Sequence, residues 1–99
     1  MILDYKQIDA IMLSYGLGKH DSSGGTNYSF IKGSKHRIIL ERLKELDEGG
    51  ARGFLYAVVL DDYKNKCSKN GHINVKDIWN ESKLRRIVEQ VIAHFDSIF

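Results

Sequence analysis

The side chains best suited to chemistry gather between Lys19 and Arg37. That stretch holds Lys19, His20, Lys32, Lys35, His36 and Arg37, with Tyr28 and Phe30 between them. Cations interleaved with aromatic rings are the ingredients of a single-stranded nucleic-acid site, where bases stack and phosphates pair with charge. If Ser34 caps a helix, the free N–H groups of residues 34–37 lie at a positive dipole end and suit phosphate. The candidate binding residues are therefore Lys19, His20, Tyr28, Lys32, Ser34, Lys35, His36 and Arg37. The competing view is a solvated loop whose two aromatics are core. The stretch lacks the GxxxxGK[ST] pattern of a nucleotide-binding loop.

Other constellations are weaker. Lys64, Lys66, Lys69, His72 and Lys76 form a second basic group, explained by the C-terminal end of a helix. The stretch from Lys66 to Asp77 has the glycine of a calcium loop, but Lys66 stands where the first acidic ligand belongs. His20, His36, His72 and His94 are scattered, and Cys67 has only His72 nearby, so no metal site is expected. A helix-turn-helix over Val75–Val91, with Arg85 and Arg86 on its second helix, lacks the usual glycine turn. A ribonuclease-like role for His36 is conceivable but nothing in the spacing requires it. No catalytic residue and no cofactor is assigned, and the expectation is a non-enzyme.

These residues must be positioned by something. The longest apolar run is Phe54-Leu55-Tyr56-Ala57-Val58-Val59-Leu60, with no polar position, as a segment buried on all sides would be. Val58-Val59 favours a strand, but Tyr56, Leu60, Tyr63 and Cys67 recur at helical spacing, so a central helix over 51–68 is predicted. A first helix is predicted over Tyr5–Tyr15. Asp4 and Gln7 form a capping box, Leu3 and Ile8 a staple, and Gly16 follows as the stop. The polar stretch 18–26 reads as loop, and residues 27–31 as one short extended segment. A second helix over 35–48 rests on the propensity of Glu-Arg-Leu-Lys-Glu-Leu, against a hairpin of Tyr28–Ile31 with His36–Leu40. Asn74 opens a short helix over 75–79. The last helix, 83–98, repeats Leu84, Val88, Val91, Phe95 and Ile98, with Arg85 and Glu89 paired outside.

The fold expected is mainly α: one domain over 1–99, a bundle of four to five helices around helix 51–68. The alternative is α+β, with a small sheet joining 28–31 to 54–60. Hydrophobic residues are 42% and charged residues 28% of the 99, ordinary for a soluble globular chain. A single cysteine excludes an intrachain disulfide and fits a reducing compartment. No signal peptide pattern opens the chain, and no run approaches the ~20 apolar residues of a membrane span, so a cytoplasmic protein without a membrane partner is expected. Net charge of +2 allows nucleic-acid contact without demanding it.

The first expectation of function is a small regulator or inhibitor, of bacterial or phage type, acting on a protein partner. Phe95, Ile98 and Phe99 on the last helix are its candidate interface, and a homodimer would use the same surface. The alternative is nucleic-acid binding, with phosphates held at residues 32–37.

Overall fold

The computed structural model describes residues 3–78 and 80–99. An antiparallel sheet of five strands, in the order β1-β2-β3-β4-β5, forms the body of the molecule. The strands are β1 (Gly18–Ser22), β2 (Gly25–Lys32), β3 (Lys35–Glu45), β4 (Ala51–Tyr56) and β5 (His72–Asn74). Helix α1 (Tyr5–Leu13) precedes them, and a 3-10 turn (Val75–Asp77) and helix α2 (Glu81–Ile98) follow.

The expected helical bundle is therefore wrong, and so is the description of the chain as helical. Residues 35–48 are the clearest case. They form β3, the central strand, hydrogen-bonded to β2 on one side and β4 on the other. Helix propensity differences amount to only a few tenths of a kcal/mol per residue. Two ladders of cross-strand bonds and the burial of Ile39, Leu40 and Leu43 override them. The hairpin between β2 and β3 turns on Gly33-Ser34, with Lys32 opposite Lys35 and Gly33 at φ 63. Glycine first and serine second is the order that a type II′ hairpin turn takes.

The run 54–60 is not a helix either. Ala51, Gly53, Leu55 and Ala57 are buried, while Arg52, Phe54 and Tyr56 between them are not. That period of two makes it a strand with one wet face, not a segment buried on all sides. It ends at Tyr56. The N–H groups of Ala57 and Val58 both donate to Gly71 O, and turns carry the chain back to β5. The predicted loop 18–26 contains β1 and the tip of a hairpin, with Ser22 paired to Gly25. The small sheet of the alternative reading falls short for the same reason: the segments read as loop and helix supply most of the strands.

The terminal helices agree with their signals. Asp4 accepts from Gln7 N at 2.8 Å, and Gln7 Oε1 accepts from Asp4 N at 2.9 Å, which completes the capping box. Helix α1 ends two residues earlier than predicted, at Leu13. Asn80 caps α2, accepting from Lys83 N at 2.8 Å. Leu84, Ile87, Val88, Val91 and Phe95 are buried along one stripe of α2. The short helix expected at 75–79 is the 3-10 turn capped by Asn74; Trp79 lies outside the described residues.

Both helices lie against the same side of the sheet. Tyr28, Leu40 and Leu55, which face one another across β2, β3 and β4, join Ile8, Met12, Leu84, Val88 and Val91 in one core. Arg85 does not pair with Glu89 as expected. It binds Glu81 at 2.7 Å and Ser14 Oγ at 3.0 Å, while Tyr15 Oη donates to Glu89 at 2.6 Å. These bonds tie α1 to α2 at their wet edge.

Candidate binding face

Among the described residues no helix covers the second side of the sheet. His20, Asn27, Ser29, Ile31, His36, Ile38, Glu41, Lys44, Arg52, Phe54, Tyr56, His72 and Asn74 alternate with the core residues, and none of them is buried. This open side is where the strands present chemistry to solvent.

Its aromatic part is a strip across β4 and β5. Phe54 and His72 meet edge to face at 6.3 Å between centroids, and Tyr56 and His72 at 6.0 Å. Tyr56 stands at the end of β4, where its ring also reaches Phe95 of α2 at 5.4 Å. The Arg42 guanidinium lies 4.9 Å from the Phe54 ring centroid. A β-bulge between β3 and β4 places it there: the register shifts between Glu41 and Lys44, and Arg42 takes φ 56. Asn27 Oδ1 accepts from Arg42 N at 2.9 Å and holds that left-handed residue. Lys44 stands directly opposite Arg52, both exposed. Two like charges face to face repel, a cost that a bound anion would relieve. The only carboxylate among these outward residues is Glu41, which already pairs with Arg42 at 3.2 Å. His36, Ile38, Tyr56 and His72 line a shallow depression of about 350 Å³ on this side.

The candidate residues from the sequence are divided among three places. Lys19 and Tyr28 belong to the core side. Tyr28 is fully buried, and its hydroxyl donates to Asp9 Oδ1 at 2.5 Å, where Lys19 Nζ also pairs at 2.9 Å. Burial alone would raise the Asp9 pKa, but the Tyr28 hydroxyl and the Lys19 ammonium outweigh it and hold the carboxyl below its ordinary value. Burial, together with the Asp9 carboxylate, pushes the Tyr28 phenol upward, so it remains a donor. Beside them Tyr5 Oη and Thr26 Oγ1 are 2.7 Å apart, and Thr26 donates to Asp21 at 2.9 Å. This is a satisfied network that fixes α1 to β1 and β2.

Lys32, Lys35 and Arg37 are turned towards the end of α2. Lys32 Nζ pairs with Asp96 at 3.0 Å, Lys35 Nζ lies 5.7 Å from the Phe99 ring, and Arg37 lies 5.4 Å from the Phe95 ring. Ser34 is in the hairpin turn, so the helix terminus imagined there does not exist. Of the original set His20 and His36 stand on the open side, and Arg37, whose guanidinium is also 6.0 Å from the Tyr56 ring centroid, lines the depression there with His36. Of the proposed interface, Phe95 is 2% exposed and Phe99 stacks on Phe95 and Phe30; Ile98 alone is open, at 58%.

Sequence reasoning missed Arg42, Lys44, Arg52, Phe54, Tyr56 and His72. The available signal was the alternation of Ala51, Gly53, Leu55 and Ala57 with Arg52, Phe54 and Tyr56. Among the described residues no three His, Cys, Asp or Glu side chains converge as a metal site would require. None of their helices is long and apolar enough to cross a membrane. No protein-family model, no curated protein and no solved structure matches the chain.

Proposed function

We propose that the chain is a binding module for single-stranded nucleic acid, held across the open side of its sheet. The observation that carries this reading is the aromatic strip of Phe54, His72 and Tyr56 flanked by Arg42, Lys44 and Arg52, with Glu41 the one carboxylate among the outward strand residues named above. Rings supply stacking surfaces that any base can use, and the cations pair with the sugar–phosphate backbone. The rings stand on hydrogen-bonded strands, which lowers the backbone ordering cost of binding. This differs from the phosphate site expected at 32–37, where Lys32 and Lys35 are engaged with Asp96 and Phe99 and only Arg37 also reaches the Tyr56 ring.

The test is titration of short single-stranded DNA and RNA oligonucleotides against the wild type and the double variant Lys44→Glu, Arg52→Glu. Both residues are exposed, so the fold should survive, which circular dichroism checks. Affinity should fall at least about tenfold in the variant. Lys35→Ala, at a cation that lies over the Phe99 ring instead, should change it far less. Equal affinity of wild type and the glutamate variant would refute the reading.

A second reading has its own observation. Ile31 and Ile38 are 59% and 39% exposed on the same side of the sheet. Neighbouring exposed aliphatics suit a protein surface, a regulated partner or a second copy of this chain. On that reading Ile31→Asp and Ile38→Asp abolish association, while Lys44→Glu leaves it in place. Sedimentation over a range of concentrations distinguishes a second copy from a different partner.

A further inference from the structure

Beyond the edge strand β5 lies a cleft of about 450 Å³, within the range that small ligands occupy. Its walls come from separate parts of the chain: Phe54 of β4, His72 of β5, Tyr63 and Lys66 of the segment between them, Asp77 of the 3-10 turn, and Lys83 of α2. Neither Lys66 nor Lys83 is among the lysines that form ion pairs with the described residues. Both are exposed and free to meet an anion. Phe54 and His72 belong to this cleft and to the aromatic strip of the open side alike. A strand of nucleic acid lying over the strip therefore reaches the cleft where the sheet runs out.

We infer that this cleft receives the terminal nucleotide of a single strand together with its terminal phosphate. The inference rests on the reading given under Proposed function. A terminal phosphate carries more charge than an internal phosphodiester and leaves more oxygens free to accept bonds, and two ammonium groups suit it. Phe54 and Tyr63 line the cleft and supply apolar aromatic surface for the base. Asp77 faces the same space and is an acceptor for ribose hydroxyls or a base amino group; with two lysines against one carboxylate the cleft stays positive. An internal nucleotide would have to leave the cleft again, and its phosphodiester offers less to these lysines.

The experiment compares three unlabelled oligonucleotides of one sequence by titration calorimetry: one with a 5′-phosphate, one with a 3′-phosphate and one with neither. A nucleoside monophosphate is the fourth probe. One phosphorylated end should bind at least about fivefold more tightly than the unphosphorylated strand. Lys66→Ala and Lys83→Ala should each reduce that preference and leave the affinity for the unphosphorylated strand unchanged. Equal binding of the three strands overturns the inference and leaves the open-side reading standing. A preference that persists in both lysine variants also overturns it, as does a monophosphate that binds more tightly than every strand. If no strand binds at all, the open-side reading falls and this inference with it.

Discussion

The Asp9 carboxylate shows how single residues decide both stability and the placement of the site. It sits between the Tyr28 hydroxyl and the Lys19 ammonium, which together favour its charged form against the effect of burial. Because its folded pKa lies below the ordinary value near 3.8, its contribution is fully present above that value. The contribution is lost as pH falls through the lower, folded pKa. Urea melts across this range should show stability falling with acid in the wild type, and a flatter acid limb in Asp9→Asn. Tyr28→Phe should cost about 1.5 kcal/mol, the low end for a hydrogen bond to a charged group, because Lys19 remains to compensate Asp9. From the sequence alone Lys19 and Tyr28 read as candidate binding residues, and Asp9 carries no signal of its own. Nothing local marks a tyrosine whose hydroxyl finds its partner 19 residues away.

Among the elements, the hairpins and the bulge set the chemistry of the open side. Gly25 has φ 134, and a Cβ there would come within 2.7 Å of the Arg42 carbonyl carbon and 2.8 Å of Leu43 O. Backbone against backbone cannot yield as a side-chain tip can. Gly25→Ala should therefore push β2 away from the β3 bulge and destabilise the protein by more than about 1 kcal/mol. The same shift should move Arg42 off the Phe54 ring, which nuclear magnetic resonance shifts at Phe54 would report. Helices α1 and α2 were legible because capping boxes and four-residue spacing are local signals. Strand β3 was not, because Glu-Arg-Leu-Lys-Glu-Leu favours a helix in isolation and only the flanking strands reverse that preference. Gly33, whose φ of 63 the hairpin turn requires, is the local signal for β2 and β3.

For the whole molecule, the arrangement of layers matters most. Both helices cover one side of the sheet, so the other is left to solvent and gathers Arg42, Lys44 and Arg52. Electrostatic binding over such a surface should weaken with salt. Each paired phosphate contributes a slope of about 0.7 in log affinity against log salt for a single strand, so removing Lys44 and Arg52 should lower the slope by roughly 1.4. Titrations at several salt concentrations measure this directly. An unchanged slope would mean that these two cations meet no phosphate.

By itself, the sequence determined the two terminal helices, the capping box of α1 and the apolar stripe of α2, because those depend on residues a few positions apart. It also showed a mildly basic chain with rings between its cations. Only the tertiary structure decided which of those groups stand together. The packing of helices on the sheet buried Tyr28, drew Lys19 to Asp9, and set Lys32 and Lys35 against the end of α2. It left Arg42, Lys44, Arg52, Phe54, Tyr56 and His72 on one open side. A period of two assigns residues to opposite faces, but which face is covered depends on where the helices dock, and that information is spread over the whole chain.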